Sequence, residues 1–483
     1  MTVADVVDTV LAVLAWAVLA YFLVVNGALS ALLVAAAGEL RAHRLAVWRE
    51  NRWRVLSSEV APTISVLAPA HDEAATIAEN VRSLLTLRYP TLEVVVIDDG
   101  SQDATLEVLM REFALVPVHA APVRRRLAGA PVTALYRSSR TPSLVVAAKE
   151  NGGKADALNA GLDVAEGELV CAIDADTVVE ADALQRMVRP FLTDPGVIAA
   201  GVTLHAVNGS TVRGGRVVHK RAPHRLLPAL QAVEYMRAFL CGRLGWNRLG
   251  GNLIVSGAFG LFRREHVVAA GGYLNETVGE DMELVVRMRR LARERGEPDR
   301  VPFVPDPIAW TEVPSRARVL ARQRDRWHRG LADVLVRHRR MLLDRRYGAL
   351  GLVGMPYFVF IELLAPLIEA LGLLVVLAGL LAGVLDVQFA VLFLLVAYGC
   401  GLLLTVVTFT LDEWTFRSYG PARSRAWLLF VALLEGLGYR QATALWRVRG
   451  LWRFLRGRRD WGSMPREGFA PPPPTPRRDR ISA

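Results

Sequence analysis

The sequence predicts an α/β domain that lies between membrane-spanning helices. Three observations support this prediction: an apolar segment near the amino terminus, further apolar segments in the last third, and a central region of ordinary polarity with alternating strand and helix patterns. With 52% hydrophobic residues, the 483-residue chain is too apolar for an ordinary soluble enzyme. The central region is long enough for one sizeable α/β domain.

The apolar segments predict the membrane topology. Residues 3–37 carry only Asp5 and Asp8 as charges, and this apolar segment is long enough for one spanning helix. The segment lacks the basic start that is typical of a cleaved signal peptide. Three further apolar stretches cover 349–385, 387–411 and 426–438. Because the last stretch is short and contains Glu435, we expect it to be interfacial or re-entrant, which gives three spans rather than four.

The net charge of +11 indicates contact with a membrane surface rather than with nucleic acid. Basic residues cluster beside apolar segments, at 41–54 and 447–459, and no nucleic-acid recognition module accompanies them. Positive residues beside spans favour the cytoplasmic face and anionic lipid. We therefore expect a multi-pass protein of a bacterial-type plasma membrane, with its central domain in the cytoplasm and the lipid bilayer as a partner.

Acidic residues follow two successive strands of the central domain. The first predicted strand ends at Asp72 and Glu73, and the second ends at Asp98 and Asp99, with a helical pattern between them. Carboxylates at consecutive strand ends are typical of a nucleotide-binding crevice, where they accept hydrogen bonds from a base or a ribose. The alternative is that Asp99 and Ser101 only cap the next helix.

Two further motifs indicate a phosphate and metal site. Gly152-Gly153 allows a ligand to approach the backbone closely, and Lys154 can reach a diphosphate as a mobile charge. Asp174 and Asp176 follow a buried apolar strand, so they emerge at the carboxyl edge of the sheet. Two carboxylates at this spacing can hold Mg²⁺ or Mn²⁺, which in turn binds phosphate oxygens. A lone lysine or a lone Asp-x-Asp would be a weak signal, but here they occur together.

These motifs belong to an ordered set. The set consists of Pro69 with Asp72-Glu73, Asp98-Asp99-Gly100-Ser101, Gly152-Gly153-Lys154 with Asn159-Ala160-Gly161, Asp174-Ala175-Asp176, Ser256-Gly257-Ala258-Phe259-Gly260, Gly279-Glu280-Asp281 and Gln323-Arg324-Asp325-Arg326-Trp327. It resembles family-2 glycosyltransferases of the GT-A fold, in particular the membrane-embedded processive branch of cellulose, chitin, hyaluronan and poly-N-acetylglucosamine synthases. The resemblance covers about residues 60–345 and the flanking apolar segments, and poly-β-1,6-N-acetylglucosamine synthases have the most similar arrangement of spans.

The resemblance implies a Rossmann-like nucleotide-diphospho-sugar transferase fold and a role for each motif. Asp281 is the expected catalytic base, beside Glu280, and takes a proton from the acceptor hydroxyl. The expected donor-binding residues are Asp72, Glu73, Asp98, Asp99, Lys154, Asp174, Gln323 and Arg326. Phe259 and Trp327 are expected to contact the acceptor. Acidic residues such as Glu280 and Asp281 would also suit the start of a helix without any catalytic role.

Two sequence features bear on the expected acceptor site: the helix that carries Trp327, and Gly279 beside the expected base. Residues 318–343 carry apolar residues at helical spacing and predict an interfacial amphipathic helix with Trp327 on its apolar side. The alternative role for Trp327 is that of a headgroup anchor. Gly279 stands where the family's motif usually has threonine, which leaves the carboxylates intact but removes a hydroxyl beside the expected base.

The sequence thus predicts four regions: a transmembrane helix at 1–40, a GT-A domain at 60–345 ending in the interfacial helix, transmembrane and interfacial helices at 349–440, and a basic, partly disordered tail at 441–483. We expect inverting, processive transfer from a UDP-sugar (UDP-N-acetylglucosamine or UDP-glucose) to a growing β-linked polysaccharide that crosses the membrane, with Mg²⁺ or Mn²⁺ as cofactor. The arrangement leaves room for an accessory export subunit. Two alternatives stay open: non-processive transfer to a lipid carrier, and an inactive membrane scaffold or receptor.

Overall fold

The computed structural model describes residues 3–49, 61–118, 126–174 and 177–458. Asp176, one of the two predicted metal ligands, lies outside these ranges, as does the predicted tail beyond residue 458. Strands and helices are numbered in chain order below.

The strands are β1 (Ile64–Ala70), β2 (Leu92–Asp99), β3 (Leu115–Pro117), β4 (Val132–Ser138), β5 (Leu144–Lys149), β6 (Leu169–Ile173), β7 (Thr177–Val179), β8 (Ala199–Ala206), β9 (Thr211–Arg213), β10 (Arg216–His219), β11 (Phe259–Arg263) and β12 (Phe303–Thr311). The α-helices are α1 (Val3–Arg49), α2 (Ile77–Leu85), α3 (Thr105–Phe113), α4 (Lys154–Val164), α5 (Ala183–Met187), α6 (Arg189–Thr193), α7 (Leu226–Met236), α8 (Trp246–Leu249), α9 (Arg264–Ala269), α10 (Glu280–Glu294), α11 (Ala317–Arg337), α12 (Met355–Tyr357), α13 (Ala365–Leu381), α14 (Val387–Leu394), α15 (Cys400–Thr415), α16 (Ala422–Leu434) and α17 (Tyr439–Leu455). Segments of π-helix cover Arg237–Leu244, Leu350–Gly354, Phe358–Leu363 and Leu395–Gly399, and 3₁₀ turns cover Arg339–Met341 and Arg345–Tyr347.

One mixed sheet organises the central domain, with the strand order β3-β4-β5-β2-β1-β6-β11-β8-β12-β7. β1 pairs in parallel with β2 and with β6, and Ala70 stands opposite Asp98, so β1 and β2 end at the same edge. β11 runs antiparallel to β6, with Phe259 opposite Ile173. This register brings the ends of β1, β2 and β6 together at one edge, as expected for a nucleotide-binding crevice.

The central strands are buried on both faces because helices cover both sides of the sheet. In β2, Val94 and Val96 pack into a cluster with α2 and α3, whereas Val95 and Ile97 pack into a second cluster with α4. This alternation follows from the two-residue period of a strand. Each fully buried aliphatic side chain contributes roughly 1.5–3 kcal/mol, which explains why these strands are continuous apolar runs.

The predicted α/β class is confirmed, and the strand predicted at 92–97 is longer than its apolar pattern. Asp98 and Asp99 belong to β2 because their backbones pair with Ala148 and Lys149 of β5. A sequence pattern shows the apolar part of a strand, but the ladder continues for as long as the neighbouring strand does. The two carboxylates are therefore held on rigid backbone rather than on a loop.

Within the described residues, two helices are long and apolar enough to cross a membrane, Asp5–Val47 and Val387–Thr415. A third span results if the bent pair Leu350–Leu363 and Ala365–Leu381, with a 42° bend, counts as one. The bend lies beside Pro366 in the first turn of α13, where a missing backbone donor is tolerated. The protein is therefore membrane-associated.

The fourth apolar stretch overlaps α16, a helix of 13 residues that is not among the candidate spans of the described chain. Glu435, directly after it, accepts two hydrogen bonds from the Arg237 guanidinium, both at 2.6 Å. The acidic residue that counted against a span is thus paired within the protein.

The helix predicted at 318–343 corresponds to α11, which ends at Arg337 and is followed by a 3₁₀ turn. The polar side of α11 is more enclosed than an interfacial helix requires. Asp325 and Arg329 are buried and paired at 3.1 Å, and Arg453 of α17 approaches Asp325 at 3.3 Å. Gly450 permits this packing, because a Cβ there would lie 2.6 Å from the carbonyl oxygen of Asp325. α17 therefore covers the charged side of α11 and fixes its position.

Candidate active site

The loops that follow β1 and β2 are tied to each other. Asp72, which has a positive φ of 54°, accepts a hydrogen bond from the backbone N–H of Gln102 at 2.7 Å. Its own N–H donates to the hydroxyl of Ser101 at 3.1 Å, and that hydroxyl also donates to Asp98 at 2.5 Å. Burial raises the pKa of the Asp98 carboxyl. These contacts make the end of the two strands one rigid unit.

Asp99 is fully engaged within the chain. Its carboxylate lies 2.5 Å from the ammonium of Lys149 and accepts from the backbone N–H groups of Gly152 (3.0 Å) and Gly153 (2.8 Å). Gly153 has φ of 86°, a conformation that favours glycine, and α4 begins at the next residue, Lys154. This engagement favours a positioning role for Asp99 over the predicted direct contact with a donor. It also argues against the alternative that Asp99 only caps the helix after β2.

A single cavity of about 750 Å³ brings together most of the remaining predicted site residues. The predicted residues on its wall are Lys154, Asp174, Glu280, Asp281, Gln323, Arg326 and Trp327. The predicted residues that do not line it are Asp72, Glu73, Asp98, Asp99 and Phe259. The structure thus divides the predicted site into a cavity group and a group at the ends of β1 and β2.

Lys154 links the acidic residues of the cavity. Its ammonium lies 2.5 Å from Asp174 Oδ1 and 3.7 Å from Glu280 Oε1. Burial alone would lower the pKa of Lys154, but the Asp174 and Glu280 carboxylates outweigh it and raise that pKa above its ordinary value. Burial raises the pKa of Glu280 well above its usual range, although Lys154 opposes the rise. Lys154 is therefore a fixed cation that faces the space between β6 and α10.

Asp281 is oriented by backbone donors at the start of α10. Its Oδ2 accepts from the N–H of Gly257 at 2.9 Å, and its Oδ1 accepts from the N–H of Met282 at 2.7 Å. Gly257 can approach this closely because it has no side chain: a Cβ there would lie 3.1 Å from Asp281 Oδ2. The predicted Ser256–Gly260 motif therefore contributes its backbone to the site. The carboxylate keeps lone pairs for a hydroxyl in the cavity.

Trp327 and Gln323 face the cavity from α11. The Trp327 side chain is 42% exposed, the guanidinium carbon of Arg324 lies 4.6 Å from its ring centroid, and Tyr235 lies 6.5 Å away, centroid to centroid. Gln323 is buried, and its Oε1 has no hydrogen-bond partner within the described part of the chain. A buried amide oxygen without a partner is costly, so a ligand that donates a hydrogen bond would be favoured here.

The Phe259 side chain, predicted to contact the acceptor, does not line the cavity. Phe259 is fully buried and packs into the core cluster on one face of the sheet. The residues just before it, Gly257 and Ala258, line the cavity instead. The motif therefore contributes to the site through its small residues Gly257 and Ala258 rather than through Phe259.

The close packing around Gly279 explains why this position has glycine where the family motif has threonine. A Cβ at Gly279 would lie 3.1 Å from Cα of Gly330 in α11, and a Cβ at Gly330 would lie 3.1 Å from Cα of Gly279. The two glycines therefore allow the start of α10 and the middle of α11 to meet backbone to backbone. This contact sets the distance between Asp281 and the helix that carries Trp327.

We expect Gly279→Thr to lower sugar transfer roughly 10- to 100-fold, because the new side chain must push α11 away and misplace the acceptor. Gly330→Ala should act in the same direction from the other side of the contact. The measurement is the rate of transfer at saturating donor, alongside the dissociation constant of the nucleotide, which should stay near the unmodified value. Gly27→Ala, at a position with open space around it, is the control. Full activity in Gly279→Thr would show that the glycine contact does not position the acceptor.

Four ion pairs that no sequence motif predicts line the same cavity. They are Arg237–Glu435 (2.6 Å), Arg324–Glu234 (2.8 Å), Arg440–Glu369 (3.1 Å) and Arg447–Glu362 (3.4 Å). Glu362, Glu369 and Glu435 interrupt apolar stretches, and an acid in such a stretch is a functional signal that could have indicated them. Their arginine partners are distant in sequence, so the pairs themselves required the structure.

The oxygen ligands near β6 are compatible with Mg²⁺ or Mn²⁺. Asp174 is half-buried at the cavity wall, and its carboxylate is of the ligand type that hard divalent cations prefer. Within the described ranges, no group of three or more His, Cys, Asp or Glu side chains is close enough to hold a metal ion. Mg²⁺ commonly binds through one or two carboxylates plus substrate phosphates, so a site that includes Asp174 would need no third protein carboxylate.

Comparisons with known proteins agree with this geometry. Two family models match: glycosyl transferase family 2 over residues 65–267, and glycosyl transferase family group 2 over residues 169–406. The poly-β-1,6-N-acetyl-D-glucosamine synthase of Staphylococcus aureus (strain COL) is 28% identical over 275 residues, which is 57% of this chain and 56% of the relative. The enzyme of that name from Staphylococcus epidermidis is 27% identical over 290 residues, 59% of each chain. The matches thus span little more than half the length of these curated relatives.

Solved structures show partial likeness. The mannosyltransferase PcManGT from Pyrobaculum calidifontis, solved with GDP-Man and Mn²⁺, is 22% identical with a TM-score of 0.47, covering 86% of this chain and 99% of that one. Glucosyl-3-phosphoglycerate synthase from Mycobacterium tuberculosis is 20% identical with a TM-score of 0.36, covering 60% and 84%.

The sheet, the carboxylate and lysine site and the family matches define a membrane-associated glycosyltransferase with a GT-A domain. The chain belongs to glycosyltransferase family 2.

Proposed function

We propose that this glycosyltransferase extends a β-linked polysaccharide processively, with inversion, from a UDP-sugar and passes the product across the membrane. UDP-N-acetylglucosamine is the favoured donor, because the curated relatives reported above are named for a polymer of that sugar. UDP-glucose is the second choice. One observation carries the proposal: the cavity that begins at Lys154, Asp174 and Asp281 continues to Asn26 of α1 and Gly401 of α15, the two candidate spans.

The cavity residues suit the proposed transfer. Asp281 takes the proton of the acceptor hydroxyl while the hydroxyl oxygen bonds to the anomeric carbon, and the bond from that carbon to the diphosphate breaks. UDP leaves with the electron pair of the broken bond. Lys154 and Arg326 are cations on the cavity wall and are suited to stabilise the charge of the departing diphosphate. A bound Mg²⁺ or Mn²⁺ would supply further positive charge there.

The membrane side of the cavity supports a path for the product. Its wall includes Glu369 and Arg440, which form an ion pair between α13 and α17. A polar wall at the level of apolar helices is suited to a hydroxylated chain rather than to lipid. The proposal puts the catalytic domain on the cytoplasmic side of a plasma membrane, where UDP-sugars are available. An accessory export subunit would act at the opposite end of this path.

The metal site provides a test of the donor side. We expect Asp176→Ala to abolish the proposed gain in UDP affinity with Mg²⁺ or Mn²⁺, because Asp174 and Asp176 would hold the metal, which would supply positive charge for the diphosphate. The measurement is UDP binding by calorimetry with metal and with chelator. Asp182→Ala removes a carboxylate that pairs with Arg186 at 2.7 Å outside the cavity, and it should behave as the unmodified protein does. A metal-dependent gain that survives in Asp176→Ala would remove Asp176 from the metal site.

The whole function is tested with the purified protein in a native-like bilayer. A panel of UDP-sugars is supplied with Mg²⁺ or Mn²⁺, and UDP release and product size are measured. Long polymer from one donor supports the proposal. Single-sugar transfer to lipid would favour the non-processive alternative, and no turnover of any UDP-sugar would favour the inactive scaffold.

A further inference from the structure

Arg243 differs from the other arginines of the cavity wall. Arg237, Arg324, Arg440 and Arg447 each have a carboxylate partner, as described above. Arg243 has no hydrogen-bond or ion-pair partner among the described residues, and its recorded ring contact is with Phe358, 6.0 Å from the guanidinium carbon to the ring centroid. A guanidinium that faces a cavity without a partner forgoes up to five hydrogen bonds.

Arg243 interacts both with the expected catalytic base and with residues near the apolar helices. It lies in the π-helical segment Arg237–Leu244, and it interacts electrostatically with Asp281, Tyr357 and Glu362. Burial lowers the pKa of the Arg243 guanidinium, so its surroundings disfavour an unpaired charge. All four side chains line the cavity. Arg243 therefore lines the same cavity as the expected catalytic base and as Glu362, which belongs to the bent candidate span.

Glu362 has spare hydrogen-bonding capacity in the same place. The Tyr357 hydroxyl and a guanidinium nitrogen of Arg447 approach its carboxylate only to 3.4 Å, at the long end of the range for hydrogen bonds. Its side chain is 39% exposed. A donor arriving from the cavity can bind this carboxylate more closely than either protein group does.

We propose that Arg243 and Glu362, which contact the buried rings of Phe358 and Tyr357, form a binding subsite for a sugar unit of the growing chain, beyond the unit that accepts the next sugar. The subsite rests on the proposed polymerisation and extends it to specific residues. The guanidinium donates to the hydroxyl or acetamide carbonyl oxygens of the sugar, and the carboxylate accepts from its hydroxyl or amide hydrogens. Tyr357 and Phe358 are buried, so they support the two charged groups rather than stack against the sugar.

The charges of the subsite favour a neutral sugar over the donor diphosphate. Glu362 would repel a diphosphate, whereas the Lys154 and Arg326 end of the cavity attracts it. Opposite charges on one wall suit a ligand that both donates and accepts hydrogen bonds, as every hydroxyl of a saccharide does.

The test compares Arg243→Gln with Arg243→Lys in the full chain in a bilayer. The measured quantities are the KM for an added oligosaccharide of the product, the KM for the UDP-sugar, UDP release without acceptor, and product length. We expect Arg243→Gln to raise the acceptor KM about 10- to 100-fold and to shorten the product, because hydrogen bonds from a charged group are lost. The KM for the UDP-sugar and the rate of UDP release without acceptor should stay within about twofold of the unmodified values. The reason is that Arg243 is proposed to contact the acceptor chain and not the donor. Arg243→Lys should be intermediate, because it keeps the charge but loses the planar fork.

Arg248→Gln is the matched control, since Arg248 lies five residues on, is 52% exposed, pairs with Glu39 at 3.3 Å and does not line the cavity. Glu362→Gln gives a second route, with the same expected rise in acceptor KM, should Arg243→Gln fail to fold. An unchanged acceptor KM in folded Arg243→Gln would overturn the subsite. So would an effect that depends on anionic lipid rather than on oligosaccharide. If the unmodified protein elongates no oligosaccharide with any UDP-sugar, the proposed function fails first, and the subsite with it.

Discussion

Asp281→Asn should lower sugar transfer by roughly 10²–10⁴-fold, which is the usual contribution of a positioned general base. Asparagine retains the shape of the side chain and one acceptor oxygen, so the contact with the N–H of Gly257 or Met282 can persist. The amide cannot take a proton from the acceptor hydroxyl. The rate of polymer formation at saturating UDP-sugar is the quantity to compare.

The same variant should bind UDP nearly as well as the unmodified protein, because Lys154 and Asp174 are intact and Asp281 is held by α10 rather than by them. Asp333→Asn is a suitable control, since Asp333 pairs with Arg337 at 2.9 Å on α11 and does not line the cavity. Loss of UDP binding in Asp281→Asn would assign Asp281 to the donor side. Unchanged turnover would remove it from the role of base.

The grouping of Lys154, Asp174 and Asp281 could be expected from the sequence, because it depends on where individual strands end and where individual helices begin. A strand that ends in carboxylates delivers them to the edge of the sheet, and a helix that begins with Glu280-Asp281 delivers them to its first turn. The motif order then places these segments around one ligand. The close pairing of Lys154 with Asp174, at 2.5 Å, follows from no local pattern, since the two residues belong to separate motifs.

Other features depended on information that no local pattern contains. The side of the strand that Phe259 faces is set by its register with β6, in which Phe259 stands opposite Ile173. The Arg237–Glu435 pair joins residues 198 positions apart, and only the packing of α16 against α7 brings them together. The close approach of Gly279 and Gly330 likewise appears only once α10 and α11 are packed.

The Asp99 carboxylate shows how the partners of a motif residue can favour a role other than the predicted one. Its place at the end of β2 was predictable, but its partners Lys149, Gly152 and Gly153 come from β5 and the turn after it. Because those donors occupy both carboxylate oxygens, Asp99 shapes the turn that presents Lys154. A motif fixes which residue types meet, whereas the pairing of strands decides which of them face the ligand.

Trp327→Ala should shorten the polymer without abolishing UDP release from the donor. The ring is 42% exposed at the cavity wall, which suits it to stack against a sugar of the acceptor. The lost contact is worth about 0.5–1.5 kcal/mol, by analogy with aromatic pairs, which corresponds to a change of about two- to tenfold in an equilibrium. Mean product length depends on the ratio of elongation to release, so we expect the mean length to fall by a similar factor.

The alternative is that Trp327 anchors α11 at the lipid headgroups, and Trp452 of α17 separates the two roles. Trp452 is 51% exposed and has an arginine over its ring, Arg456 at 3.7 Å, much as Trp327 has Arg324 at 4.6 Å, but it does not line the cavity. If stacking on the acceptor is the function of Trp327, then Trp327→Ala shortens the polymer and Trp452→Ala does not, at matched amounts of folded protein in a bilayer. Anchoring predicts that both variants lose membrane-inserted protein before they lose chain length. Full-length polymer from well-folded Trp327→Ala would refute the acceptor contact, and with it a main argument for processive synthesis.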